Sequence, residues 1–333
     1  MEEVNEELAL TTLPGVGPAT KQKLNDAGIY TILDLATASP TDIAEAVDID
    51  TSKAVELNNK ARKKLVEMGK LEPDFISASD LLEKRKAIDR VSTGSRNLDD
   101  LLGGGIETWA MTEFYGEFGS GKSQICHTLC CTVQMPRGEG GLDGGAIYID
   151  TEGTFRPERV AEIARARGLD AQEVLKRITV ARAYNSAHQE LIVKDMGRMI
   201  EPNGVKIVLL DSAVAHYRAE FLGRGTLAER QQRLNRFMHQ LLRTAEVYNV
   251  AVVVTNQVQA APDTFFGDPS RPTGGHVVAH TSTYRLYLRK SGRNRIARMV
   301  DSPYHPERDA VFVLNEKGVD DPTEESPRKR SSS

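Results

Sequence analysis

The stretch Gly116-Glu117-Phe118-Gly119-Ser120-Gly121-Lys122-Ser123 fills every fixed position of the GxxxxGKS phosphate-binding loop. The apolar run Met111 to Tyr115 before it can form a strand, and Gln124 to Gln134 after it can form a helix, which is the setting the motif needs. Gly116, Gly119 and Gly121 let the backbone turn its N–H groups toward a β-phosphate, and the helix N-terminus adds the positive end of its dipole. Lys122 can then reach the β- and γ-phosphates, and the Ser123 hydroxyl can ligate Mg²⁺. A glycine-rich turn that matches by chance would not explain the strand and helix on either side. The chain is expected to bind a nucleoside triphosphate.

From Val91 to about Asp320 the pattern alternates strand and helix. Ala146 to Asp150, Arg177 to Ala181, Lys206 to Asp211 and Val250 to Asn256 are short apolar runs ending in polar residues. Amphipathic stretches at 157 to 167, 186 to 200 and 227 to 248 separate them. Such βαβ units predict an α/β domain with a mostly parallel sheet, whose ligands bind beyond the carboxyl ends of the strands. Asp211 ends one run and is the candidate to hold the Mg²⁺ hydration shell. Glu152, in Asp150-Thr151-Glu152-Gly153, is the candidate to polarise an attacking water; Asp150 is the rival, and either acid could merely cap the helix near Pro157. Asn256 and Gln257 end a further run, where a neutral amide can sense the γ-phosphate.

The segment Val258 to His280, with Pro262, Phe265, Phe266, Gly267, Gly274 and Gly275, is long for a loop inside a compact domain and is read as functional or disordered. Tyr217 to Gly225, with Arg218 and Arg224, is read as a second mobile loop, with Arg230 just beyond it. Together they suit a single strand of DNA held by backbone charge and base stacking; two lids over a small substrate are the alternative. Gly138 to Gly145 has five glycines in eight residues and is expected to be a mobile surface loop.

Outside this core, residues 1 to 10 are acidic and expected to fray. Leu13-Pro14-Gly15-Val16-Gly17-Pro18, followed by the helical pattern Ala19 to Ala27, resembles a helix-hairpin-helix element, a module that contacts DNA backbone or serves as a packing turn. With a helix from Thr51 to Met68, buried through Ala54, Leu57, Ala61, Leu65 and Met68, it predicts a small all-helical domain. The expected division is an N-terminal domain over 1–70, a linker over 71–90, the ATPase core over 91–320 and a disordered tail over 321–333. The linker carries Phe75-Ile76-Ser77-Ala78, in which Phe75 could plug into a neighbouring molecule or dock on its own core.

The net charge of −4 argues against a uniformly basic polyanion binder, but six Arg and Lys residues fall between Tyr284 and Arg298 with no acid among them. Cys126, Cys130 and Cys131 are the chain's three cysteines, and their spacing suits neither zinc nor a disulfide framework. No signal peptide or run of about 18 apolar residues is present, so a soluble, cytoplasmic protein is expected.

With these residues placed, the chain resembles the archaeal RadA branch of the RecA-like recombinase family. The resemblance is carried by the phosphate loop, Tyr148 to Arg159, Thr255 to Val258, Gly274-Gly275-His276, Arg285 to Lys290 and Asp301-Ser302-Pro303, in that order. It implies ATP-dependent assembly into a filament on single-stranded DNA, then pairing and strand exchange with homologous duplex. It implies that Glu152 activates water, Arg159 stacks on adenine and Gln257 contacts the γ-phosphate side, while the two loops hold DNA. His280, Asp301 and Pro303 would close over a neighbour's ATP, and K⁺ beside Asp301 is part of the same expectation. Phe75 and Ala78 match the family's polymerisation motif, and recombination mediators and nucleoid association belong to the picture. Ser123 departs from the Thr of many relatives without loss of the hydroxyl. A hexameric helicase or regulatory ATPase on the same core, and a non-catalytic mediator, are the competing readings; the N-terminal hairpin, Phe75 and Glu152 weigh against them.

Overall fold

The computed structural model describes residues 8–71, 73–223, 225–260, 270–272 and 276–323. Four helices open the chain: α1 (Pro18–Asp26), α2 (Ile32–Thr37), α3 (Pro40–Val47) and α4 (Thr51–Glu67). Proline begins α1 and α3, where its missing N–H costs nothing. Thr31 and Asp34 form a reciprocal capping box at α2, and Asp50 caps α4. Ala54, Leu57, Ala61 and Leu65 of α4 are buried in a cluster that also holds Leu8 and Leu10, so residues 8 to 10 are packed core and not the frayed end expected from their acidic neighbours.

This helical unit leans on the rest of the chain through polar contacts. Tyr248 Oη donates to Asp34 Oδ1 at 3.2 Å, Tyr30 Oη to Asp195 Oδ1 at 3.3 Å, and Arg243 Nη1 to the Thr37 carbonyl at 2.8 Å. Burial pushes the Asp34 carboxyl and the Tyr248 hydroxyl above their ordinary ranges.

Next come α5 (Ala78–Lys86), β1 (Arg90–Val91), α6 (Arg96–Leu101), β2 (Ile106–Glu107), β3 (Met111–Gly116), α7 (Lys122–Thr132) and β4 (Gly145–Asp150). They are followed by α8 (Pro157–Ala166), α9 (Ala171–Lys176), β5 (Ile178–Arg182), α10 (Ser186–Asp195), α11 (Gly197–Ile200), β6 (Val205–Asp211), α12 (Ala215–Glu220) and α13 (Leu227–Tyr248). The chain continues with β7 (Ala251–Ala260), β8 (Ser270–Pro272), α14 (His276–Thr281), β9 (Tyr284–Ser291), β10 (Asn294–Asp301), β11 (Asp309–Asn315) and β12 (Gly318–Asp320). The large sheet runs β12-β11-β10-β9-β3-β7-β6-β4-β5, with β8 paired back on β7. From β9 to β5 the pairs are parallel; β10, β11 and β12 add antiparallel strands at one side.

The central strands are apolar on both faces because helices cover both. Ile207 and Leu209 of β6 and Ala251 and Val253 of β7 join the cluster beneath α7 and α8, while Val208, Leu210, Val252 and Val254 join the one beneath α10 and α13. The carboxyl ends of β3, β7, β6 and β4 therefore share one edge, with Gly116 opposite Gln257 and Asp150 opposite Asp211.

Several expectations change. Gly138 to Gly145 is a tied-down turn: Leu142 is buried and its N–H, like that of Gly144, bonds the Val133 carbonyl, while Gly145 already belongs to β4. Glycine there meets close packing, since a Cβ on Gly141 would collide with the Met135 backbone. Tyr217 to Glu220 is helix α12 instead of loop, and Tyr217 is fully buried with its hydroxyl on Glu190 Oε1 at 2.8 Å. Within Val258 to His280 the first three residues extend β7, and Ser270–Pro272 pairs with them as β8. Helix α5 lies in the stretch read as a linker and buries none of its residues. The basic run from Arg285 to Arg298 is the β9–β10 hairpin, with Arg298 paired to Asp309 at 2.8 Å. The tail expected to be disordered from 321 is held at its start, where Asp321 accepts from Ser95 Oγ and from the Arg96 and Asn97 N–H groups, both at 3.1 Å. Residues 261–269, 273–275 and 324–333 lie outside the described residues, as do the expectations placed on Phe265, Phe266, Gly274, Gly275 and the rest of the tail.

Candidate nucleotide site

The phosphate loop leaves β3 at Gly116, where a side chain has no room: a Cβ would run into the Leu288 backbone of β9 and stand 3.0 Å from Ser120 Oγ. Gly119 (φ 74°) and Gly121 (φ 112°) take left-handed conformations, and Gly121 caps the N-terminus of α7. Ser120 is buried, Ser123 half-buried and Glu117 exposed, and Phe118 is fully exposed at the rim. Lys122 Nζ donates to the carbonyls of Gly116 (2.8 Å) and Glu117 (2.9 Å). Burial lowers the Lys122 pKa, against the pull of Asp211 and Glu152. The three cysteines of α7 are buried, and burial raises all their thiols, Cys131 to about 12, which leaves them unreactive.

Beside the loop, the acids at the ends of β4 and β6 have different surroundings. Asp150 accepts N–H groups from Glu152, Gly153 and Thr154 on Oδ1 and from Phe155 on Oδ2, and pairs with Arg182 at 3.0 Å. Its oxygens are spent folding the turn that follows β4. That turn presents Glu152 outward, with Oε1 accepting from Ser212 Oγ at 2.8 Å and from Gln257 Nε2 at 3.1 Å. Glu152 and Gln257, assigned from separate strand ends, are thus in contact. Asp211 is buried and accepts hydroxyls from Tyr148 (2.9 Å), Thr154 (3.3 Å) and Thr255. Beneath them His127 stacks on Tyr148 and takes the Arg156 N–H on Nε2 at 3.3 Å; burial lowers its pKa to about 4.

Arg159, in the first turn of α8, reaches Gln124 Oε1 on α7 at 3.0 Å and the Asn315 carbonyl on β11, so it flanks the start of α7. His280, Asp301 and Pro303 are exposed and sit away from this loop in sequence register: Asp301 stands opposite Arg285 at the start of β9, whereas Gly116 stands beside Leu288 further along it. Phe75 is 94 % exposed and Ala78 begins α5, whose Leu81 and Leu82 are also exposed. Phe75 is therefore not docked on its own core. Arg218, on α12, and Arg230, on α13, are half-buried, and Arg224 lies outside the described residues.

Ser212 and Glu113 are absent from the sequence reading, and Lys290 and Arg285 appear there only as members of a basic run and a family motif. Ser212 holds Glu152; Lys290 Nζ lies where a Cβ on Gly119 would meet it at 3.6 Å. Glu113, on β3, is wholly buried and bonded to Arg285 (2.7 Å) and Asn256 (2.9 Å). A charged residue inside a mostly apolar run is the available signal for Glu113.

The family comparison agrees with this architecture. A family model described as Rad51 matches residues 84–322. The chain belongs to the Rad51 family. A second model, a SAM-like helix-hairpin-helix tandem, matches residues 7–63. The DNA repair and recombination protein RadA of Cenarchaeum symbiosum (strain A) is 52 % identical over 321 residues, 96 % of this chain and 80 % of that protein. The protein of the same description from Aeropyrum pernix is 51 % identical over 314 residues, 94 % of this chain and 97 % of that one. Among the described residues no helix is long and apolar enough to cross a membrane.

Proposed function

We propose that this chain is a DNA-dependent ATPase and recombinase: it binds ATP, assembles as a filament on single-stranded DNA, hydrolyses ATP there, and pairs the bound strand with homologous duplex for strand exchange. The observation that carries this reading is the contact of Glu152 with Gln257 and Ser212 at the strand edge that bears the phosphate loop. An acid held outward on one oxygen keeps the other for a water, and an amide on the same acid can register whether a γ-phosphate is present.

The donor set fits Mg²⁺ held largely by phosphate and water. Among the described residues no cluster of three or more His, Cys, Asp or Glu could hold a metal. Ser123 is the assigned direct ligand; Asp211, already accepting three hydroxyls, suits an outer role on ion-bound water. The ion would neutralise charge developing on the phosphoryl oxygens. Lys122 draws on the β- and γ-phosphates, Arg159 covers adenine, and Glu152 orients water with Gln257 beside it.

In this reading ATP lies between protomers, with the neighbour's copies of His280, Asp301 and Pro303 completing the site and K⁺ bound near Asp301. Phe75 and Ala78 join adjacent protomers. Arg218, Arg224, Arg230, Phe265, Phe266, Gly274 and Gly275 hold DNA, mediators load the filament, and the protein works in the cytoplasm at the nucleoid. ATP then acts as a bridge whose hydrolysis weakens the interface and releases DNA. The test is strand exchange between a single strand and homologous duplex with and without ATP; ATP-dependent joint molecules are expected, and unwinding without pairing would favour a helicase.

A further inference from the structure

The least expected group in the sheet is the carboxylate of Glu113, wholly buried in β3 between β7 and β9. A buried carboxylate is costly unless each oxygen is matched, and both are. Oε2 accepts from Arg285 Nε at 2.7 Å and Oε1 from Asn256 Nδ2 at 2.9 Å. Arg285 is itself buried, and its guanidinium lies 5.3 Å from the centre of the Tyr115 ring. Asn256 turns its remaining side-chain oxygen to the Gln257 N–H at 2.8 Å, and Gln257 Nε2 reaches Glu152 at 3.1 Å. The chain of bonds therefore runs from β9 through β3 to the end of β7 and on to the acid that follows β4.

We propose that Glu113 is a positioning residue for ATP hydrolysis: held by Arg285, it fixes Asn256 and through it sets Gln257 against Glu152. Core packing alone would be served by an apolar residue, as at neighbouring β3 positions Met111 and Phe114. What an apolar residue could not do is hold the NH₂ end of the Asn256 amide, which an acceptor at 113 fixes while the oxygen end takes the Gln257 N–H. The inference rests on the assignment of Glu152 and Gln257 made above.

Glutamine at 113 has one acceptor oxygen where the carboxylate has two, so Arg285 and Asn256 cannot both be satisfied. The test compares full-length Glu113→Gln, Asn256→Ala, the double variant Glu113→Leu/Arg285→Leu and Glu152→Gln. For each, phosphate release with poly(dT) gives kcat and the KM for ATP, and thermal melting gives stability. For Glu113→Gln and Asn256→Ala, kcat should fall about tenfold or more while KM stays within about threefold. The double variant removes both buried charges and offers Asn256 no acceptor, so it should regain melting temperature yet keep the low kcat. Wild-type kcat in Asn256→Ala, or turnover returning with stability in the double variant, overturns the proposal. Should Glu113→Gln not fold, Asn256→Ala decides, since it leaves the Glu113–Arg285 pair whole. Full turnover by Glu152→Gln would instead overturn the underlying assignment, and an inactive Glu152→Gln beside a fully active Asn256→Ala would overturn only the positioning role.

Discussion

Glu152→Gln separates the proposed base from everything the side chain does structurally. Glu152 is held through one oxygen, by Ser212 Oγ at 2.8 Å and Gln257 Nε2 at 3.1 Å, and a glutamine carbonyl can accept both. The substitution should therefore keep the turn and the ATP site, and remove only the group proposed to take a proton from water. Loss of a positioned general base costs about 10²- to 10⁴-fold, roughly 3–5 kcal/mol on the barrier. Steady-state phosphate release with single-stranded DNA should fall by that factor, while fluorescent ATP-analogue binding stays within about twofold of wild type. Asp150→Asn would behave differently, because its NH₂ replaces one of two accepting oxygens: with the other kept on the Glu152, Gly153 and Thr154 N–H groups, the NH₂ opposes the Phe155 N–H and the charge facing Arg182 is lost, at a cost in fold stability. Hydrolysis at the wild-type rate by Glu152→Gln would move the base elsewhere and refute the reasoning.

Phe75→Ala should leave the melting temperature unchanged, because the ring is 94 % exposed, yet shift light scattering toward short oligomers; an unchanged size distribution would remove Phe75 from self-assembly. His127 offers a pH test. Its ring is buried neutral with a pKa of about 4 against an ordinary 6.5, so the unfolded chain binds the extra proton between those values. This contribution is complete above about pH 6.5 and is lost as pH falls toward 4, on the order of 3 kcal/mol in all. Denaturant titrations of wild type and His127→Gln at several pH values should show a flatter profile for the variant, and parallel profiles would contradict the burial argument.

The parts legible in the sequence were those written in local pattern. The strand before the phosphate loop, the runs leading to Asp150, Asp211 and Asn256, and the long amphipathic helix at 227–248 all depend on neighbours along the chain. What was missed depends on neighbours across it. Glu113 looks like an interruption in an apolar run and Arg285 like one of a basic series until the β3–β9 register sets them side by side. Tyr217 sits among arginines and glycines and reads as loop, but it is carried into the core by α12. The β9–β10 hairpin was hidden because its exposed face is basic while Leu286, Leu288 and Ala297 supply the buried one. Leu8 and Leu10 were masked by acidic neighbours, and the glycines of 138–145 suggested freedom where they permit close packing.

The central claim is that ATP joins adjacent copies of the chain into the assembly that handles DNA. Electron microscopy of the protein mixed with single-stranded DNA, with ATP and without nucleotide, addresses it most directly. Continuous filaments with ATP and their loss without it are expected; isolated particles under both conditions would contradict the account.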